Sequence, residues 1–327
     1  MTADDVFVGD DAYRSANLSA MASLGVGAIR QTFDWSTIER RRRHYDFSYY
    51  DAYVAKAAAY GIRIIPVLFN PPRFLRPQRG RAACAPRRMA TFARFAKAVV
   101  RRYGHSGKLW KKNRAIPKLP ITAYQVWNEP NLEIYWCNRR PSPRAYVGML
   151  RRVGGAIKRA DHRAHVLTAG IAPSKLKSAM PIERYIAGMY RAGARRYFDS
   201  LGINSYATNR GQLRGLLRST RRLMNRHGDR RGTIWITELG WGDTGPKHRL
   251  IVGPEGQARM IKQAFVLIRK LRRPLKISGV VYYRWRDVPA YAPQYKDQWG
   301  LHTGLLDING GSKPALDAFR DVLSELP

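Results

Sequence analysis

The chain has 327 residues, 45% of them hydrophobic and 11% aromatic, enough for a sizeable core in either two ordinary domains or one large α/β barrel. Its 59 Lys and Arg against 23 Asp and Glu give a formal charge of +36, a field that attracts nucleic acid, anionic membrane surface or acidic polysaccharide. Two cysteines, Cys84 and Cys137, exclude a multi-disulfide scaffold and a four-cysteine zinc site, and no run reaches the roughly 18 apolar residues that a transmembrane segment needs.

The basic residues are spread from "RRRR" at 40–43 to "RRP" at 272–274, with no zinc-finger spacing and no aromatic-interleaved binding module. They read as a solvated surface rather than as a specific nucleic-acid site. The N-terminal "MTADDVFVGDD" is acidic where a signal peptide would be basic and apolar. The expectation is a secreted, extracellular protein whose leader is absent from this chain, with a cytoplasmic setting as the alternative.

Eight strand-like apolar runs alternate with helical stretches: 6–10, 26–33, 63–70, 121–129, 165–171, 200–207, 233–241 and 278–285. Helix signals separate them. Ser48 with Asp51 resembles a capping pair for 49–60, Ser142-Pro143 an N-terminus, and Gly104 and Gly228 C-terminal glycines. Pro254 opens a helix that Pro274 is expected to close, and 313–323 forms the last. With no linker-like stretch between units, the economical fold is α/β, a single (β/α)8 TIM barrel over 1–327. Pro66 lies inside the third run, where its missing donor predicts a bulge or an unpaired position.

In such a barrel the active site sits at the C-terminal strand ends, so polar residues that end apolar runs come first. These are Arg30, Asn70, Asn128 with Glu129, Asn204 with Tyr206, Glu238, and Trp285 with Asp287. Glu129 and Glu238 end the fourth and seventh runs, and ring closure would point both across one mouth. Paired carboxyls in that position suit glycoside hydrolysis, one as acid/base and the other as nucleophile. Arg30 and Tyr206 would keep one carboxylate charged, while the neighbouring anion and a dry pocket would keep a proton on the other.

Together with "GVGAIRQTFDWSTIE" (25–39), "YQVWNEPNLEIYW" (124–136), "WITELGW" (235–241) and "GLLDINGGSKPALDAF" (304–319), this pair resembles the retaining glycoside hydrolases of clan A. The bacterial proteins of families 39 and 5 are the most similar. The resemblance covers nearly the whole chain and implies a retaining β-glycosidase acting by double displacement on O-glycosidic bonds of a poly- or oligosaccharide. It implies Glu129 as acid/base, Glu238 as nucleophile, Asn128 at the substrate 2-hydroxyl, Tyr206 and Arg30 beside the nucleophile, and Trp285 as the sugar platform. Where many relatives have His-x-Tyr, this chain has Asn204-Ser205-Tyr206. No cofactor and no metal is expected. The alternative function is a catalytically idle barrel that binds polyanionic glycan or nucleic acid.

Trp35, Tyr135, Trp136, Trp241 and Trp299 follow strand-like runs or lie in long loops, where flat rings can stack on sugars. Trp136 and Trp241 are the expected cleft residues, and Trp127 a core residue. The net charge favours an acidic polysaccharide as substrate. Cys84 and Cys137 lie in loops that neighbour each other around a barrel mouth, so a bridge is expected, two free thiols being the alternative.

Overall fold

The computed structural model describes residues 1–77, 84–113, 115–174, 176–289 and 297–325. Seven strands form one parallel sheet in sequence order. They are β1 (Ala28–Asp34), β2 (Arg63–Phe69), β3 (Ala123–Val126), β4 (His165–Leu167), β5 (Ser200–Asn204), β6 (Thr233–Leu239) and β7 (Ile277–Tyr282). Helices α1 (Asp4–Val8), α2 (Asp11–Ser23), α3 (Trp35–Ile38), α4 (Ser48–Ala59), α5 (Met89–Tyr103) and α6 (Lys108–Lys112) belong to the first half of the chain. Helices α7 (Pro143–Ala160), α8 (Ile182–Arg191), α9 (Arg210–Arg226), α10 (Pro254–Leu275) and α11 (Pro314–Ser324) complete it.

Strands β3 and β5 are buried at every position, as expected of parallel strands covered on both faces. The helices are amphipathic: α7 buries Tyr146, Leu150, Val153 and Ile157 at helical spacing and leaves its arginines outward. One contiguous apolar cluster takes in residues from Met1 to Val322. No helix among the described residues is long and apolar enough to cross a membrane.

The first expected strand is a correction. Residues 4–8 are helical, with Asp4 and Asp5 favouring the first turn of α1 and Val6 buried while Val8 is exposed. The gap between the two sheet edges is spanned instead by Met1–Ala3. The Met1 amino group donates to Ala28 O, Arg30 N donates to Met1 O, Thr2 N donates to Tyr282 O, and Trp285 N donates to Thr2 O. Thr2 makes a single parallel bridge to Arg30, and no eighth strand is present among the described residues. The edges of β1 and β7 are thus tied by three residues.

Pro66 causes no bulge: it stands in register with Gln31 in an unbroken β1–β2 ladder. Arg63 N donates to Gly27 O on the β1 side, so by alternation the donorless Pro66 nitrogen faces β3. Pairing with β3 begins only at Val67, so no ladder bond is lost. At α4 the expected cap is replaced by Asp46, whose carboxylate accepts from the Ser48 backbone and hydroxyl. Asp51 instead receives Arg102 and Tyr103 from α5. Pro274 lies in the last turn of α10 rather than beyond it, and the helix stops at Lys276, whose φ is +53°. Ser142 caps α7 as expected, accepting from Ala145 N, and Gly104 ends α5.

Cys84 and Cys137 are joined, with Cα atoms 4.4 Å apart and a separation of 53 in sequence. The bond ties the loop after β2 to the loop after β3, which carries Glu129. A bridge across such a span restricts the unfolded chain, so the double Cys84→Ser/Cys137→Ser variant is expected to lose about 2–4 kcal/mol of stability. Denaturant unfolding of variant and parent, with and without reductant, checks this: reductant should lower the parent to the variant's level and leave the variant unchanged.

Candidate active site

Arg30 lies inside the sheet on β1, buried to 7% exposure. Its guanidinium is shared three ways. Nε donates to Gln125 Oε1 at 2.8 Å, one terminal nitrogen donates to Asn128 Oδ1 at 2.9 Å, and the other pairs with Glu238 Oε1 at 2.9 Å. The second oxygen of Glu238 accepts from the Tyr206 hydroxyl at 2.5 Å. Burial, and next the charge of Glu238, push the Tyr206 phenol well above its usual range, so it remains a proton donor.

Strict alternation along β6 would put Glu238 on the same side as Ile234 and Ile236, facing the helices. A bulge prevents this. Ile203 pairs with Ile236, but the next residue, Asn204, pairs with Glu238, so Thr237 is the extra residue on β6. Thr237 and Glu238 consequently both address the interior, and the Thr237 hydroxyl donates to Asn204 Oδ1 at 2.8 Å.

Glu129 follows β3 on a turn in which Trp127 (φ +75°) and Glu129 (φ +40°) both take left-handed backbone angles. For non-glycine residues such angles cost on the order of 1–3 kcal/mol each and persist only where surroundings enforce them. Here the Trp127 ring is fully buried and its indole N–H donates to Tyr135 O. Asn131, also fully buried, donates to Ala172 O and Met180 O and so anchors the next stretch of the loop. The Glu129 carboxyl receives Asn204 Nδ2 at 2.7 Å. Burial first, then the nearby Glu238 charge, raise its pKa to about 8, with Asn204 and Arg30 opposing the shift.

The structure brings Arg30, Asn128, Glu129, Asn204, Tyr206 and Glu238 together. Asn204, expected among the substrate-binding residues, has no exposed surface; it donates to Glu129 and accepts from Thr237, and so positions the Glu129 carboxyl. Two expected aromatic residues are misplaced. Trp241 is fully buried with its indole N–H donating to Ala207 O. Trp285 is 2% exposed and its indole N–H donates to Asn17 on α2, so it offers no open ring face. Asp287 is drawn away as well, into a buried ion cluster with Lys313 and Asp243. Trp136 is half-buried against Trp127 and Tyr146, and Trp35 stacks inside the core on Phe92 and Phe95.

Three half-buried rings lie beside this group instead. Tyr283 lies edge-on to Tyr206 at 6.5 Å, and Trp299 edge-on to Tyr206 at 4.8 Å. Tyr135 is close enough that both glutamate charges raise its pKa, after burial. Sequence reasoning missed Tyr283, two residues before the tryptophan it favoured. It also passed over Gln125, although a lone glutamine inside an apolar run was a signal.

The raised pKa of Glu129 has a consequence for stability. Between the ordinary carboxyl value near 4.3 and about 8, the folded chain keeps a proton that the unfolded chain releases. Stability should therefore fall as pH rises through this window and level off above it. Glu129→Gln cannot ionise, so its stability should decline less from pH 5 to pH 8, the variant gaining on the parent by at least about 1 kcal/mol, the equivalent of one pKa unit. Urea unfolding across that range tests it, and parallel curves would contradict the assignment.

No protein-family model and no curated protein matches the sequence. Solved structures do match in fold. A family 39 enzyme from Xanthomonas axonopodis pv. citri superposes with a TM-score of 0.74 and 18% identity over 99% of this chain and 65% of its own. A family 39 β-xylosidase from Caulobacter crescentus gives 0.68 and 19% over 99% and 70%, and a GH5_18 protein from Streptomyces cattleya gives 0.71 and 14% over 97% and 76%. This chain spans less than two thirds of the Xanthomonas enzyme's length. The fold is the one found in glycoside hydrolases of families 39 and 5, the families its sequence resembles.

Proposed function

We propose that residues 1–327 act as one catalytic unit, a retaining β-glycosidase. The observation that carries this reading is a pair of buried carboxyls at one mouth in opposed settings. Glu238 is held by a guanidinium and a phenol, whereas Glu129 is kept protonated by burial and by the Glu238 charge. An ion-paired nucleophile beside a protonated acid is the starting state for double displacement.

Glu238 attacks the anomeric carbon as the bond to the leaving oxygen breaks, and Glu129 gives that oxygen its proton. Once Glu238 is esterified its charge is gone, and the repulsion that kept Glu129 protonated goes with it. Glu129 then takes a proton from water as the water displaces Glu238. Asn128, oriented by Arg30, is placed to meet the sugar 2-hydroxyl, and Tyr283, Trp299 and Tyr135 supply ring faces for the pyranose. The chemistry needs no cofactor or metal. The disulfide favours an oxidising, extracellular setting, and the +36 charge favours an acidic glycan among polysaccharide substrates.

A panel of aryl β-glycosides, with β-xylosides included because one structural neighbour is a β-xylosidase, should show turnover by the parent and none by Glu238→Gln. Glu129→Ala should lose about 10²–10⁴-fold on substrates whose leaving group needs a proton. Azide should accelerate it with retained configuration. Azide should rescue Glu238→Ala with inverted configuration, the small anion replacing the carboxylate in one direct displacement. Full activity in either variant would refute the assignment, and swapped azide products would exchange the two roles.

A further inference from the structure

A cavity of about 710 Å³ lies in the helical layer, away from the glutamates, between α5, the start of α6 and the 43–47 segment. Its cations are Arg43, Arg94, Lys97, Arg101, Arg102 and Lys108. Four of them, Arg94, Lys97, Arg101 and Arg102, share one face of α5 at helical spacing, opposite the buried face of Phe92, Phe95, Val99 and Tyr103. Helix α5 contains no acidic residue. Like charges three and four apart on a helix repel, so this face is left with a field that a bound anion relieves.

Carboxylates on adjoining segments are already committed. Asp51 pairs with Arg102, Asp46 caps α4, and Glu39 accepts from the Trp35 indole and from Arg43 N. Among the described residues Arg43, Arg94, Lys97, Arg101 and Lys108 have no ion-pair partner. The floor is aromatic: Tyr45 and Phe47 are half-buried, their rings 6.1 Å apart and within 29° of parallel. Cations around a concavity with nearly parallel rings match a carboxylated sugar, whose ring has an apolar face and whose edge carries the charge.

We propose that this cavity is a second glycan site, which binds a uronate-bearing oligosaccharide with its carboxylates on Arg94, Lys97 and Arg101 and a pyranose face on Tyr45 and Phe47. Binding there does not require hydrolysis at the mouth. The concave shape favours a sugar over an extended nucleic-acid backbone, which would track a continuous groove.

The experiment uses the full chain carrying Glu238→Gln, titrated with hexagalacturonate, with xylohexaose and with a single-stranded hexanucleotide. Hexagalacturonate should bind, less tightly as salt rises, and xylohexaose should not compete for the site. Adding Arg94→Gln, Lys97→Gln and Arg101→Gln should weaken hexagalacturonate binding by roughly tenfold or more, the loss of one or two charge-assisted contacts, with no drop in the thermal midpoint. Hydrogen exchange should slow on hexagalacturonate addition in 43–47 and 94–108. Unchanged affinity in the triple variant, protection confined to the mouth, or equal affinity for the hexanucleotide would overturn the proposal. Aryl-glycoside turnover by the triple variant with Glu238 restored should match the parent, so a failure of binding here and a failure of the glycosidase reading give different results.

Discussion

The buried ion pair between Arg30 and Glu238 sets the terms for the rest of the molecule. Two ions withdrawn from water are tolerated only with good geometry and with their remaining hydrogen-bonding capacity met. Gln125 and Asn128 meet Arg30's, and Tyr206 meets Glu238's. Arg30 stands on β1 and Glu238 on β6, which are not neighbours in sheet order. A flat sheet would hold them several strand widths apart. Only a sheet curled far enough to bring its edges together lets them touch, so the pair and the curvature require each other.

The same pair governs Glu129. Because Arg30 is spent on Glu238, Glu129 has Asn204 as its near partner and feels the Glu238 charge through a dry interior. Burial first, and then that charge, raise the proton affinity of Glu129. Asn204 opposes that rise, and Thr237 fixes which way its amide faces by donating to the oxygen. The bulge at Thr237 is also what turns Glu238 inward, so one residue of β6 serves both carboxyls.

Much of this was legible in the sequence. Arg30, Asn128, Glu129, Tyr206 and Glu238 stand out because a polar residue ending an apolar run has to be compensated by something. The bridge between Cys84 and Cys137 followed from loop adjacency. What escaped were features set by tertiary contact. The 6–10 run has the apolar content of a strand, but two aspartates at a helix start outweigh it, and the position at the sheet edge goes to Met1–Ala3. Trp285 and Tyr283 differ little in local pattern. Their fates diverge because β7 ends at Tyr282 and the Trp285 indole finds Asn17 on α2, a partner far away in sequence. The β6 bulge leaves no mark on "WITELGW", whose alternation points Glu238 the wrong way.

The tie made by Met1–Ala3 also fixes an order of events in synthesis. These residues precede β1, yet their partners Tyr282 and Trp285 lie at and just after the end of β7. Helical hairpins and early strand pairs can form as they emerge, since their contacts are local. The edges cannot be joined until β7 has left the ribosome, and Arg30 waits with its charge unpaired until β6 arrives. For most of its synthesis the nascent chain carries an open parallel edge at β1, the kind of surface that pairs with other chains.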